Sequence, residues 1–228
     1  MPGGGPKYEA YEDHPLDPEP MLLDDRKERI ERVLAQRTRT LTVVLDRLED
    51  NFNMGAVVRT CEGMGLQELH VIRNADVPFR PNPKVTQGCE KWMDLHLHRD
   101  FASCRDHLRG RGYALWASAF HAEAKSLDGM RFDGRIALVF GNERFGVSLE
   151  VLEGCDGRFW IPMRGFTRSL NVSAAVSAAL TRAVGWREEH LGSSGDLSPE
   201  EASALRKRFR RLSLKQRHRI YGSGPGRR

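Results

Sequence analysis

Strand-like runs alternate with helical stretches along most of this chain, and that alternation restricts it more than any single residue does. Leu41 to Leu45, Glu68 to Ile72, Asp94 to His98, Tyr113 to Ala117, Ile136 to Phe140 and Arg158 to Ile161 read as strands. Helical spacing occupies Met54 to Met64, Phe101 to Arg109 and Leu149 to Gly154 between them. Strands separated in this way pair in parallel, because each helix supplies the crossover that a parallel pair requires. The pattern predicts an α/β fold with a mainly parallel sheet.

At 228 residues the chain can bury one substantial core, and its 39% hydrophobic content is ordinary for a globular protein. No apolar run reaches the length of a membrane span, and the first residues lack the basic start and apolar centre of a signal peptide. A cytoplasmic location and no membrane partner are therefore expected. Cys61, Cys89, Cys104 and Cys155 are scattered, form no C-x-x-C pair and read as reduced thiols without a zinc-type His neighbour. His96 and His98 alternate along one strand and read as a half-exposed strand face, so no metal is expected.

Net charge is only +5, but its distribution is uneven. From Arg206 to the end there are many Lys and Arg residues and no Asp or Glu, which suits a phosphate-rich partner such as RNA. Residues 1–20, rich in Pro and Gly, are expected to be a disordered tail. Residues 21–191 form the main domain, with an amphipathic helix at Leu23 to Gln36. Residues 192–228 are a flexible Gly-Ser linker and a basic helix. Ser198, Pro199 and Glu201 supply that helix with a capping box.

The stretch IPMRGFTRSLNVSAAVSAAL, Ile161 to Leu180, places polar residues at the start of a helix whose Val172, Ala175, Val176, Ala179 and Leu180 recur on one face. Helix starts expose free backbone N–H groups that suit an anionic ligand. Asn and Ser there can equally serve as plain caps. Two further segments accompany it. Asn53 and Arg59 stand on the helix after the first strand, and Gly141 and Glu143 stand in the turn after Phe140. Neither Gly63-x-Gly65, which follows a helix, nor the turn at Gly141, which has no Lys-Ser/Thr pair, fits a nucleotide phosphate loop.

In this order and separation, the three segments resemble the signature motifs of the SpoU-type RNA 2′-O-methyltransferases, and of their TrmH branch in particular. The resemblance can be followed from about Arg26 to Arg211, and Gln87 to Trp92 is similar to the family's loop between the first two motifs. It implies the SPOUT fold class, whose C-terminal part forms a deep trefoil knot, with flanking N- and C-terminal helices. The implied cofactor is S-adenosylmethionine, held by Ser118, Gly141, Ile161 and Leu170, with no metal. The implied catalytic set is Arg59, Asn53, Asn171, Ser169 and Glu143.

An arginine with a pKa above about 12 makes a poor base, so Arg59 is expected to act as a fixed cation, with Asn53 and Asn171 orienting. Arg164, Arg168, Arg206, Arg208, Arg210 and Arg211 are the expected RNA contacts. The resemblance further implies a homodimer and a tRNA substrate methylated at a D-loop guanosine. Ribosomal RNA is the alternative substrate, and a knotted RNA-binding protein without catalysis is the alternative class. Close family members carry Lys-Pro-His before the first-motif Asn, where this chain has Glu49-Asp50-Asn51-Phe52.

Overall fold

The computed structural model describes residues 22–142 and 144–221, with side chains described to residue 214. The expected disordered tail, residues 1–20, and Glu143 lie outside the described residues. The chain divides into two compact units. The larger spans Gln36–Leu197, and the smaller joins the N-terminal helix to the C-terminal one.

In the larger unit, β1 (Leu41–Asp46), β2 (Glu68–Ile72), β3 (Asp94–His98), β4 (Ala114–Ser118), β5 (Lys125–Ser126), β6 (Ile136–Phe140) and β7 (Gly157–Trp160) form one sheet. Its order is β3-β2-β1-β6-β4-β7-β5, and every strand pairing is parallel. Helices α2 (Asn51–Gly63) and α6 (Val172–Leu191) cover one face, and the short α3 (Pro83–Thr86) packs on α2. On the other face lie α4 (Phe101–Arg109) and α5 (Leu149–Gly154).

Burial follows position in the sheet. Central β1 is buried at all six residues, because Leu41, Val43 and Leu45 enter one core while Val44 enters the other. A fully buried Leu, Val or Phe contributes on the order of 1.5–3 kcal/mol, so these two cores dominate stability. Strand β3 is at the edge, and its two histidines form the half-exposed strand face expected from the sequence. His96 and His98 are half-buried beneath α4, whereas Leu97 is the exposed residue. The parallel register explains this, pairing His70 with His96 and Ile72 with His98 so that all four lie on the α4 face.

Just after the expected flexible linker Gly192 to Gly195, the chain is fastened at Asp196 to the residues before β1. The Asp196 carboxylate accepts hydrogen bonds from Thr38 Oγ1 (2.5 Å), the Arg39 N–H (2.7 Å) and Thr40 Oγ1. Arg187, only 2% exposed on α6, donates to Asp196 and to the carbonyls of Phe132, Gly134 and Thr40. One guanidinium thus joins α6, the start of β1 and the loop before β6. No sequence pattern signalled it, since its acceptors are backbone groups far apart in the chain.

In the smaller unit, α1 (Asp24–Ala35) buries Ile30 and Leu34, and α7 (Pro199–Tyr221) buries Leu205 and Phe209. These two helices together make up the smaller unit. The α7 capping box is present: the Ser198 N–H donates to Glu201 at 2.9 Å, and the Glu201 N–H donates to Ser198 Oγ at 3.2 Å. No described helix is long and apolar enough to cross a membrane.

Removing the Arg187 guanidinium takes away one of the donors to Asp196 and the donor that Arg187 supplies to the Phe132 and Gly134 carbonyls. Arg187→Ala is expected to destabilise the protein by about 3–5 kcal/mol, read as a lower urea midpoint. An unchanged midpoint would contradict the anchoring role.

Candidate active site

Parallel pairing puts the carboxyl ends of all the strands on one side of the sheet, where open α/β folds hold ligands. The expected site residues follow from this. Gly141 comes directly after β6, Ser118 ends β4, and Ile161 follows β7. These strands are neighbours in the sheet, so three residues far apart in sequence come to adjoining strand ends. Ser118 is in register with Phe159, and the Ala119 N–H donates to the Phe159 carbonyl at 2.9 Å. Ile161 is half-buried against the core, whereas Ser169 and Leu170 are exposed in the irregular loop before α6.

Only glycine fits at 141. A Cβ there would lie 1.9 Å from the Gly146 carbonyl carbon and 2.0 Å from the Val147 nitrogen. The turn folds back so tightly that Asn142 and Gly146 exchange two backbone hydrogen bonds, at 2.9 and 2.8 Å. Asn142 Nδ2 donates to the Arg47 carbonyl at 2.9 Å, and the Ser148 N–H donates to the Asp46 carboxylate at 2.9 Å. These bonds stitch the turn to the end of β1. Arg47 itself adopts the left-handed conformation, with φ of 53°, a strained geometry for a residue with a side chain.

Asn53 and Asn171 meet. Asn171 Nδ2 donates to Asn53 Oδ1 at 3.0 Å. Asn171 caps α6 by accepting from the Ser173 N–H (2.9 Å) and hydroxyl (2.6 Å), while Asp50 caps α2 by accepting from the Asn53 N–H at 2.7 Å. Further along the same helices, the hydroxyls of Thr60 and Ser177 are 3.3 Å apart. The contacts 53 to 171 and 60 to 177 advance together, so α2 and α6 run parallel. Both N-termini, with their partial positive charge, therefore face the same side.

Arg59 lies elsewhere on α2. Six residues beyond Asn53, it is rotated about 120° from the line of Asn53 and Thr60. It faces α3, where its Nη1 donates to the Val85 carbonyl at 3.3 Å and its guanidinium is exposed. Gly55, one turn earlier on that face, permits the approach, since a Cβ would lie 3.0 Å from Val85 Cβ. The Cys89 thiol is pushed up to about 11 by burial and then by Glu62 and Glu90, with Arg59 opposing. It remains a protonated thiol near neutral pH. Within one chain, Arg59 is not hydrogen-bonded to Asn53 or Asn171.

Arg164 and Arg168 are exposed in the loop before α6. Arg206 is not free for an RNA contact. It forms a two-pronged pair with Glu31 of α1, at 2.7 and 2.8 Å, and Arg210 lies 3.6 Å from the same carboxylate. Arg208 and Arg211 are half-buried. Leu205, Phe209, Arg206 and Arg210 thus serve the helix pair, a use that sequence alone does not separate from phosphate binding.

Some residues at this edge escaped the sequence reading. A cleft of about 270 Å³ opens at the carboxyl ends of β1 and β6, where the strand order reverses direction. Asp46, Arg47, Asn74, Asn142 and Phe145 line it, and Ser118, Ile161 and Leu170 do not. Phe145 and Phe166 are strongly exposed. Each sits between a glycine and nearby arginines in a loop, the one signal that could have marked them as surfaces for flat ligands.

The SpoU rRNA Methylase family matches residues 40–181. A tRNA (guanosine(18)-2′-O)-methyltransferase of Borreliella burgdorferi is 36% identical over 159 residues, covering 70% of this chain and 72% of that protein. An Aquifex aeolicus protein of the same name is 31% identical over 190 residues, covering 83% and 90%. The solved A. aeolicus TrmH/SpoU tRNA modifying enzyme superposes with a TM-score of 0.75 at 30% identity, covering 84% of this chain and 98% of that one. With the family match spanning all three segments around the parallel-strand edge, the chain belongs to the SpoU methylase family.

Proposed function

We propose that this protein is an S-adenosylmethionine-dependent RNA ribose 2′-O-methyltransferase acting on a guanosine of tRNA. The observation that carries the reading is the Asn53–Asn171 hydrogen bond, which locks the N-termini of α2 and α6 together beside the ends of β6, β4 and β7. Family membership supports methyl transfer. The names of the Borreliella and Aquifex relatives support a tRNA guanosine as the substrate.

The donor supplies an electrophilic methyl group on a sulfonium. The residues at the strand ends fit such a ligand. The turn at Gly141 is close-packed main chain, and the half-buried Ile161 and exposed Leu170 offer apolar contact for a flat base. Ser118 at the end of β4 completes the set. The ribose oxygen gains the methyl carbon, the carbon–sulfur bond breaks, and the hydroxyl proton leaves to phosphate or water.

The protein's contribution is positioning and charge. Asn53 and Asn171 orient the ribose, and the paired helix N-termini attract its phosphate. Ser169 contacts substrate or donor. Arg59 is a fixed cation for phosphate or the developing alkoxide. Because it lies off the Asn53–Asn171 line within one chain, it is best employed at a site shared between two copies, in keeping with a homodimer. Exposed Arg164, Arg168, Phe145 and Phe166 form the RNA face, combining charge with surfaces for base stacking.

The reading includes a C-terminal trefoil knot. Its support is that β7, the last strand, inserts between the earlier β4 and β5 rather than adding at an edge.

Three outcomes are expected. Asn53→Ala lowers methylation of tRNA at least tenfold while the thermal midpoint stays within a few degrees, because the lost bond is solvent-exposed and contributes only about 0.5–1.5 kcal/mol. A collapsed fold would instead make the residue structural. Arg59→Lys retains charge but loses the planar fork, so turnover falls strongly, and near-full turnover would remove Arg59 from the mechanism. Mapping ribose methylation after incubating the protein with tRNA and ribosomal RNA should mark a tRNA guanosine. Methylation of ribosomal RNA alone would overturn the substrate assignment.

A further inference from the structure

On the α4 face of β2 and β3, away from the strands that carry the methyl-transfer residues, four histidines and a cysteine converge. His70 comes from β2, His96 and His98 from β3, and Cys104 and His107 from α4. His70 Nδ1 and His98 Nε2 are 3.0 Å apart, and His70, His98 and Cys104 each offer one ligand atom within 4.8 Å of the other two. Donors sharing a tetrahedral Zn²⁺ at about 2.0–2.3 Å stand about 3.3–3.6 Å apart, so little movement is needed. The His107 ring centroid is 5.5 Å from those of both His70 and His98. Imidazoles on one tetrahedral ion have centroids about 5 Å apart.

We propose that His70, His98 and Cys104 form a binding site for a divalent transition ion of the Zn²⁺ type, with the fourth position facing His107.

The surroundings of His70 favour this use. The ring is wholly buried, and its Nε2 has no hydrogen-bond partner, yet Glu68 Oε2 lies 3.6 Å from that nitrogen. A carboxylate there favours the tautomer with its proton on Nε2, which leaves the Nδ1 lone pair directed at His98 and Cys104. An ion on Nδ1 draws Nε2–H toward Glu68, the carboxylate–histidine–metal relay common around bound zinc. Glu68 is itself clamped by Arg111, at 2.7 and 2.9 Å, and by Arg39.

That clamp argues against the neighbouring group of Glu68, His70 and His96, which would set a dication against two guanidiniums. Burial lowers His70 and His98 to about 4, so both rings are neutral near pH 7, as a ligand must be. Burial, then Cys155 and Asp46, pushes the Cys104 thiol up to about 12. Binding therefore displaces one proton: the thiol S–H bond breaks, a sulfur–metal bond forms and the proton goes to water, while the proton on His98 Nε2 that bonds to His70 Nδ1 moves to His98 Nδ1 and frees Nε2 for the ion.

The sequence carries the pattern in pieces. His96-x-His98 lies on a strand and Cys104-x-x-His107 on one helix face, with His70 reached only through the parallel register. Reading Cys104 as a thiol without a His neighbour overlooked that helix spacing. An ion here would tie the edge strand β3 to β2 and α4, stabilising the fold by mass action.

The test is titration of full-length, chelator-stripped protein with Co²⁺, and separately with Zn²⁺. One equivalent of Co²⁺ per chain is expected, with intense tetrahedral visible bands and a near-ultraviolet thiolate charge-transfer band. Zn²⁺ should displace it and raise the thermal midpoint. Cys104→Ser should remove the charge-transfer band, and His98→Gln should weaken binding at least tenfold, with circular dichroism confirming the fold of each. His190→Ala, on α6, should bind as wild type does. Absence of saturable one-to-one binding, or of the thiolate band in the wild-type protein, would overturn the proposal. So would binding that survives both ligand substitutions, and the wild-type band decides the matter even if a variant fails to fold.

Discussion

Parallel pairing of every strand in the sheet is the constraint from which the rest of the structure follows. It sends each carboxyl end to one side and obliges each crossover helix to begin there. Gly141, Ser118, Ile161, Asn53 and Asn171 sit next to these ends or helix starts, so a site assembled from distant segments needs no long-range design beyond the register. The Asn53–Asn171 bond then joins the two helices that begin nearest the ends of β1 and β7.

Buried charge stabilises this arrangement at the opposite side. Arg187 and Asp196 connect α6, the amino end of β1 and the loop before β6 through hydrogen bonds rather than apolar contact. Burial tends to lower the Arg187 guanidinium, and Asp196 opposes that shift. A charge that is both desolvated and fully hydrogen-bonded has one suitable position, so it holds register where packing alone would allow sliding. The two ends of the domain thus divide the work: guanidinium and carboxylate hold one, while paired amides and helix caps shape the other.

Much of this was legible beforehand, for identifiable reasons. Strands β1 and β6 were found almost to the residue because their apolar runs are nearly continuous and bounded by polar turns, and β3 because its leucines and histidines alternate. The α7 cap was found because Ser198 and Glu201 act within one turn. Missed elements were short. α3 has four residues and β5 has two, too few to show a period. At the candidate site, residue identities could be read while their grouping could not: Asn53 and Asn171 are 118 positions apart, and nothing local announces that they bond.

The amino-acid sequence by itself determined the α/β class, the strand and helix order, the three family segments and the identities of the residues in them, because periodicity, capping and turn chemistry act over a few residues. Tertiary structure alone decided the rest. It turned Arg59 toward α3, bound Arg206 to Glu31, set the half-buried His96 and His98 against His107 of α4 and fastened Asp196 to the residues just before β1. Each of those outcomes depends on which face of an element meets which neighbour. Strand register and helix rotation set that, and both emerge only when distant segments pack.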